Sequence, residues 1–205
     1  MTAFVSAYAA GLMLSAGLIV AIGAQNAFVL GQGLRRDHPV TTAMVCSACD
    51  ALLIGTGVAG AGIALTAHPG MARLLGALGG VFVIVYGVLA AKRAIAGGDE
   101  GLDAGVSVRG RRAVIGGALA VSLLNPHAYV DAMLLIGGVA AQFPAAARPA
   151  FAAGAMSASV IWFFGLGLGA AALSKSLATP ATWRIVNAVT AVTMIGIGLR
   201  LLHGL

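Results

Sequence analysis

Two carboxylates in this chain stand where hydrocarbon would surround them. Of its six acidic residues, Asp37, Asp99, Glu100 and Asp103 fall in polar stretches, whereas Asp50 and Asp131 fall deep inside long apolar runs. An acid at that depth costs at least ~2.5 kcal/mol on insertion scales, and it marks a substrate path, an ion path or a proton relay. The competing reading is a protonated acid bonded to a neighbouring helix. No Lys or Arg lies within these apolar runs except close to their ends (Arg73, Arg184 and Arg200), which favours the functional reading.

Other polar groups gather at comparable depth. Asp131 closes the stretch Leu123-Leu124-Asn125-Pro126-His127-Ala128-Tyr129-Val130-Asp131. Pro126 removes a backbone donor and frees a carbonyl one turn earlier, which opens a helix, and His127 and Asp131 share a face at i, i+4. A simple kink and a histidine bonded to a neighbouring helix are the structural alternatives. Earlier, Gly23-Ala24-Gln25-Asn26 sets two amides beside a glycine that permits bending. Two opened helices facing each other would present carbonyls, amides and helix ends to a polar solute.

Two further groups carry weaker signals. Cys46-Ser47-Ala48-Cys49 places two sulfurs on one face beside Asp50, so a soft-metal site or a thiol carrier is one reading and small apolar packing residues the other. The run Ser157-Ala158-Ser159-Val160-Ile161-Trp162-Phe163-Phe164-Gly165 offers hydroxyls and aromatic faces. Ser157, Ser159 and Trp162 are therefore secondary contact candidates, with packing or lipid-facing roles as the alternative.

The elements that must hold these residues are membrane helices. Apolar runs near 4–30, 40–66, 72–91, 113–141, 150–173 and 183–202 are each long enough to span, and Pro, Gly and charge clusters separate them. Nine basic residues (Arg35, Arg36, Lys92, Arg93, Arg109, Arg111, Arg112, Lys175 and Arg184) fall in the first, third and fifth loops, against Arg73, Arg148 and Arg200 on the other side. The positive-inside rule then puts the odd loops in the cytoplasm and both termini outside.

The two halves of the chain also resemble each other. Asn26-Ala27-Phe28-Val29 lies over His127-Ala128-Tyr129-Val130 at an offset of 101 residues. Cys46-Ser47-Ala48-Cys49 with Gly55 and Gly57 lies over Met156-Ser157-Ala158-Ser159 with Gly165 and Gly167 at 110, and Arg73-Leu74-Leu75 with Gly87 lies over Arg184-Ile185-Val186 with Gly198 at 111. Chance likeness among Gly- and Ala-rich helices is the alternative, but the shared order across three pairs favours a repeat. Units with an odd number of spans must be inverted relative to each other, the plan of many secondary transporters. The expected fold is therefore all-α, a polytopic membrane protein of six transmembrane helices built as a 3+3 inverted repeat. It forms one transporter domain over 1–205, with repeat one at 1–95, a polar cytoplasmic loop at 92–112 and repeat two at 112–205.

Composition excludes the soluble classes. The chain has 205 residues, 60% of them hydrophobic and only 9% charged, too few to coat a soluble surface. The net charge of +6 sits in short segments between apolar runs, so it sets topology and does not serve nucleic acid binding. Six spans use most of the chain and leave no room for a soluble domain, so any activity sits inside the bilayer.

At these residues the sequence resembles the LysE-type exporters, the lysine/arginine exporter family. The resemblance covers essentially the whole chain. It rests on Ala21-Ile22-Gly23-Ala24-Gln25-Asn26-Ala27-Phe28-Val29-Leu30 with Gln32-Gly33, on Leu124-Asn125-Pro126-His127-Ala128-Tyr129-Val130-Asp131, and on Asp50, Gly79-Gly80, Tyr86-Gly87 and Ser157-Ala158-Ser159 with Trp162-Phe163-Phe164-Gly165. Ala24 stands where many relatives carry Pro, which leaves the unwinding of the first helix open. The resemblance implies export of L-arginine and/or L-lysine across the bacterial cytoplasmic (inner) membrane by a multi-pass carrier that is not an enzyme and uses no cofactor or metal. Gly-rich faces would allow a homodimer as readily as internal packing. Asp50 and Asp131 would neutralise the cationic side chain or exchange protons with it, while Gln25, Asn26, Asn125 and opened backbone near Pro126 and His127 would take the zwitterionic end. Efflux of divalent metal ions, export of neutral amino acids on the same scaffold, and a thiol redox role for Cys46 and Cys49 are the rivals.

Overall fold

Four of the helices in this chain begin at a proline, where the missing N–H costs nothing because the first helical turn has no partner for it. The computed structural model describes residues 2–20, 23–61, 69–96, 110–177 and 179–203, and every regular element among them is helical. The helices are α1 (Thr2–Ile19), α2 (Ala24–Leu34), α3 (Pro39–Thr56), α4 (Pro69–Ala96), α5 (Arg111–Leu123), α6, α7 (Arg148–Leu177) and α8 (Pro180–His203). Helix α6 covers 126–140 and changes character along its length, from an α-turn (Pro126–Tyr129) through a π-helical segment (Val130–Ile136) back to α (Gly137–Ala140). A second π segment, Gly57–Ala61, follows α3 and contains Gly60 at φ 100°, a left-handed conformation that glycine adopts without a Cβ clash.

Four helices among the described residues are long and apolar enough to cross a membrane: Thr2–Ile19, Pro39–Gly60, Ala145–Lys175 and Pro180–Arg200. The fold is thus all-helical and polytopic. Two of the apolar runs are not single helices. The run expected at 4–30 is divided into α1 and α2, and the run expected at 113–141 into α5 and α6. The physical cause is local: Gly23 is fully extended at φ −118°, ψ −178°, and Leu124-Asn125 leaves helical geometry ahead of Pro126. With Ala24 as the first residue of α2, the interruption lies on its N-terminal side. The runs expected at 150–173 and 183–202 extend further, to Arg148–Leu177 and Pro180–His203. The run expected at 72–91 likewise extends to Pro69–Ala96. Residues 62–68, and 97–109 of the polar loop, lie outside the described part.

Interrupting a helix in hydrocarbon strands its last carbonyls, and each interruption is bridged by one side chain. The Asn26 amide donates to the Ile19 carbonyl at 2.7 Å, and the Tyr129 hydroxyl donates to the Leu123 carbonyl at 2.8 Å. Such bonds are needed because an unsatisfied backbone group in lipid costs several kcal/mol.

Small residues let the helices meet backbone to backbone. Gly11 of α1 lies against the backbone of Phe151 and Ala155 in α7, and Gly154 of α7 against Tyr8 and Leu12 of α1; a Cβ at either would collide. Gly33 of α2 abuts Gly167 and Ala170 of α7, and Gly57 abuts Ala132, Met133 and Gly137 of α6. Helices α4 and α8 run antiparallel, with Gly87 against Ile195, Gly198 against Ile84 and Gly80 against Leu202. The fully buried Phe151 and Phe163 of α7 anchor two apolar clusters that join it to α1, α2, α3 and α6.

Candidate functional site

The breaks ahead of Ala24, at Gly23, and ahead of Pro126, at 124–125, leave α2 and α6 starting inside the bundle, and a cavity of about 240 Å³ lies where they face α3. Gln25 and Asn26 reach it from α2, Asp50 from α3, Asn125 from the break before α6, and Asp131 from the π segment. Ser15 and Leu18 of α1 and Val189 and Thr193 of α8 complete its sides. From this polar ring the cavity extends along Ser15, Ile54, Ala132 and Ile136, toward the end of the bundle where α1 begins. Its volume is a little below the ~300–1,000 Å³ of sites for drug-sized ligands. A single amino acid is the scale it fits.

Both oxygens of Asp50 are held by neutral donors. The Gln25 amide donates to Oδ1 at 3.2 Å and the Ser159 hydroxyl to Oδ2 at 2.8 Å, so α2, α3 and α7 converge on one carboxylate. Among the described residues lining the cavity there is no Lys or Arg. Its described lining thus presents two acids and no Lys or Arg, a combination that suits a cationic ligand.

A second chain of bonds fixes the first interruption. The Trp162 indole donates to Asn26 Oδ1 at 3.0 Å while Asn26 Nδ2 donates to the Ile19 carbonyl, so one amide ties α7 to the end of α1. Asn26 is buried, as are Asn125 and Ser159.

The structure brings Gln25, Asn26, Asp50, Asn125 and Asp131 to one cavity. Pro126 and His127 lie on the backbone of α6 beside it, but their side chains lie outside the described part. Ser159 and Trp162 reach the site through Asp50 and Asn26. Ser157 does neither: its hydroxyl donates to the Ala153 carbonyl and accepts from Tyr8 at 3.0 Å. Cys46 and Cys49 are buried free thiols, absent from the described cavity lining; Ser122 donates to Cys46 Sγ at 3.8 Å, and Cys46 packs with Val29, Ala118 and Phe163. Sequence reasoning passed over Ser15, Val189 and Thr193. Ser and Thr are ordinary packing residues in membrane helices, so composition gives them no signal.

A family model described as LysE type translocator matches residues 16–205. The chain belongs to the LysE-type translocator family. It is 40% identical over 194 residues to a protein of Aeromonas salmonicida named as a candidate amino-acid transporter, YggA, covering 95% of this chain and 94% of that one. It is 39% identical to the arginine exporter protein ArgO of Shigella flexneri over 196 residues, 96% and 93% of the two chains, and 39% identical to ArgO of an Enterobacter species over 189 residues, 92% and 90%. No solved structure matches. A LysE-type translocator is a transporter and not an enzyme. With several membrane-crossing helices and bacterial relatives, this translocator is a multi-pass protein of the bacterial inner membrane.

Proposed function

We propose that this translocator exports basic L-amino acids, L-arginine and/or L-lysine, from the cytoplasm by alternating access energised by the proton motive force. The observation that carries the reading is the cavity itself: two acidic side chains, Asp50 and Asp131, three amides and, among the described residues lining it, no Lys or Arg, in a space of about 240 Å³ within the membrane-crossing bundle. The cationic side chain of arginine or lysine would lie against these acids, and Asn125 with the first turns of α2 and α6 would take the zwitterionic end. The names of the ArgO relatives point the same way.

The architecture we propose for this is six spans in two inverted units, 1–95 and 112–205, flanking the polar loop at 92–112. Three observations support it. The first and fourth runs are interrupted at equivalent positions, since Gly23 maps onto Leu124 at the offset of 101. The contact of Gly87 with Ile195 maps, at the offset of 111, onto that of Gly198 with Ile84. The contact of Gly33 with Gly167 maps onto Gly57 beside Met133 and Gly137.

With the odd loops in the cytoplasm, the cavity lining runs toward the outer side along Ser15, Ile54, Ala132 and Ile136, and we read the contacts in the cytoplasmic half as a seal. There Arg36 Nε donates to the Ala171 carbonyl at 3.1 Å and to Ser174 Oγ at 2.7 Å, and the Arg35 guanidinium sits 5.0 Å from the Trp183 ring centre. Alternating access requires that seal to open when the outer side closes.

The test is efflux of labelled arginine and lysine from cells fed basic dipeptides, with and without the protein and with an uncoupler. Faster efflux that the uncoupler abolishes supports the reading. No change for either amino acid, with the protein inserted, overturns it in favour of a neutral amino acid substrate.

A further inference from the structure

The walls of the cavity are built in two different ways. On the α1, α2, α3, α6 and α7 side, helices meet through glycines whose neighbours are backbone atoms: Gly11 with Phe151, Gly154 with Tyr8, Gly33 with Gly167 and Gly57 with Gly137. Backbone contacts of this kind leave little room for adjustment, because close-packed interiors transmit strain and absorb little. The remaining wall belongs to α8, whose own backbone contacts are with α4 through Gly80, Gly87 and Gly198. Where α8 meets the rest, side-chain tips do the work. Met194 packs with Ala24 and Val121, its methyl lying 3.8 Å from the Cβ position of Gly23, and Trp183 packs with Leu34 and Ala170. Among the described residues, α4 and α8 touch each other far more than either touches any other helix.

Val189 and Thr193 stand one turn apart on the face of α8 that lines the cavity. Both line the same cavity as the acid and amide groups contributed by the other helices, Val189 being 38% exposed, and neither is among the residues that the α4–α8 glycines contact. Val192, between them in sequence, points elsewhere and is 75% exposed, as a lipid-facing residue would be.

We infer that Val189 and Thr193 are specificity-determining residues, the wall against which the side chain of the transported amino acid is measured. The acids and amides recognise charge and the zwitterionic end, features common to every basic amino acid. Length and bulk are read by whatever closes the opposite side, and that side is α8. Val189 supplies apolar bulk beside the aliphatic stem of the substrate, and Thr193 adds a methyl and a hydroxyl at the next turn. Because α8 is attached by Met and Trp side chains, the α4–α8 pair can shift as one body and press this face onto a substrate that fits. The inference rests on the cavity being the transport site of the proposed exporter.

The experiment measures efflux of a panel of labelled amino acids, from arginine and lysine down to valine and alanine, by proteoliposomes containing the full-length protein. Val189→Phe, Val189→Ala, Thr193→Val and the control Val192→Phe are compared after normalising for inserted protein. Val189→Phe is expected to shift the ratio of large to small substrates by about tenfold or more toward the small, the scale on which small changes of bulk in an apolar pocket discriminate. Val189→Ala should shift it the other way, Thr193→Val should raise KM more than it lowers kcat, and Val192→Phe should keep the original ranking. If Val189→Phe fails to insert, the opposite shift in Val189→Ala still decides the matter. An unchanged ranking in both Val189 variants with an unchanged KM in Thr193→Val overturns the assignment. A parent protein that moves only neutral amino acids overturns the basic-substrate reading instead, and the shift in ranking among those amino acids still tests the wall.

Discussion

Asp50 and Asp131 carry the consequence with the largest magnitude. Removing one partner of a buried charge pair costs about 3–5 kcal/mol, which as a loss of affinity is roughly a hundredfold or more. Asp50→Asn and Asp131→Asn should therefore each insert normally and lose arginine export, measured as dipeptide-fed efflux against immunoblotted protein; full export by both would remove the carboxylates from the mechanism. Ser159 and Trp162 act at one remove. Trp162→Phe deletes only the indole donor to Asn26, whereas Asn26→Leu also strips the Ile19 carbonyl of its partner. Each buried group left without a partner costs about 1–3 kcal/mol, so Asn26→Leu should lower the unfolding midpoint in detergent more than Trp162→Phe does. Equal midpoints would mean that Asn26 does not bridge the interruption.

At the level of elements, the glycines divide into those that enable a contact and those that do not. Gly11 has no room for a side chain beside Phe151, while Gly17 in the same helix has nothing within 4 Å of its Cβ position. Gly11→Val should destabilise the α1–α7 pair by about 1–3 kcal/mol, the usual cost of overpacking, and Gly17→Val should be close to neutral; thermal unfolding of both variants in detergent checks this. The short turn 35–38 shows how an element end is held. Arg36 and His38 both have positive φ, at 54° and 51°, values uncommon for residues with a Cβ. The backbone N–H groups of Arg36 and Asp37 bond the Gly33 and Gln32 carbonyls, and the Arg36 side chain is tied to α7. Arg36→Ala removes the tie and should loosen the cytoplasmic seal, measured as faster alkylation of a cysteine introduced at Ala170 in membranes open on their cytoplasmic side. An unchanged alkylation rate would show that Arg36 does not hold the seal.

For the whole molecule, orientation is the property that links the seal and the cavity to a direction of transport. With cytoplasmic odd loops, a cysteine replacing Asp37 should be shielded from a membrane-impermeant thiol reagent added to spheroplasts, and one replacing Gln142 should react; the two native cysteines are buried. The reverse pattern would turn the cavity toward the cytoplasm and invert the assignment of the seal.

The membrane class, the helical fold and the two out-of-place acids were legible from residue types alone, because hydrocarbon penalises charge wherever it occurs along the chain. The interruptions were legible too, since Gly23 and Pro126 act on their own backbone. Apolar length read 4–30 and 113–141 as continuous, however, because hydropathy does not register a change in φ and ψ. Only the packed structure decided that Ser159 holds Asp50 across 109 positions and that Trp162 holds Asn26 across 136. It also decided that Ser157 turns to Tyr8, and that Val189 and Thr193 face the site. Those outcomes depend on how far each helix is rotated and how closely it approaches its neighbours. In apolar helices whose faces are nearly alike, the amphipathic pattern that reveals rotation in soluble proteins is missing, so glycine contacts between distant segments set it instead.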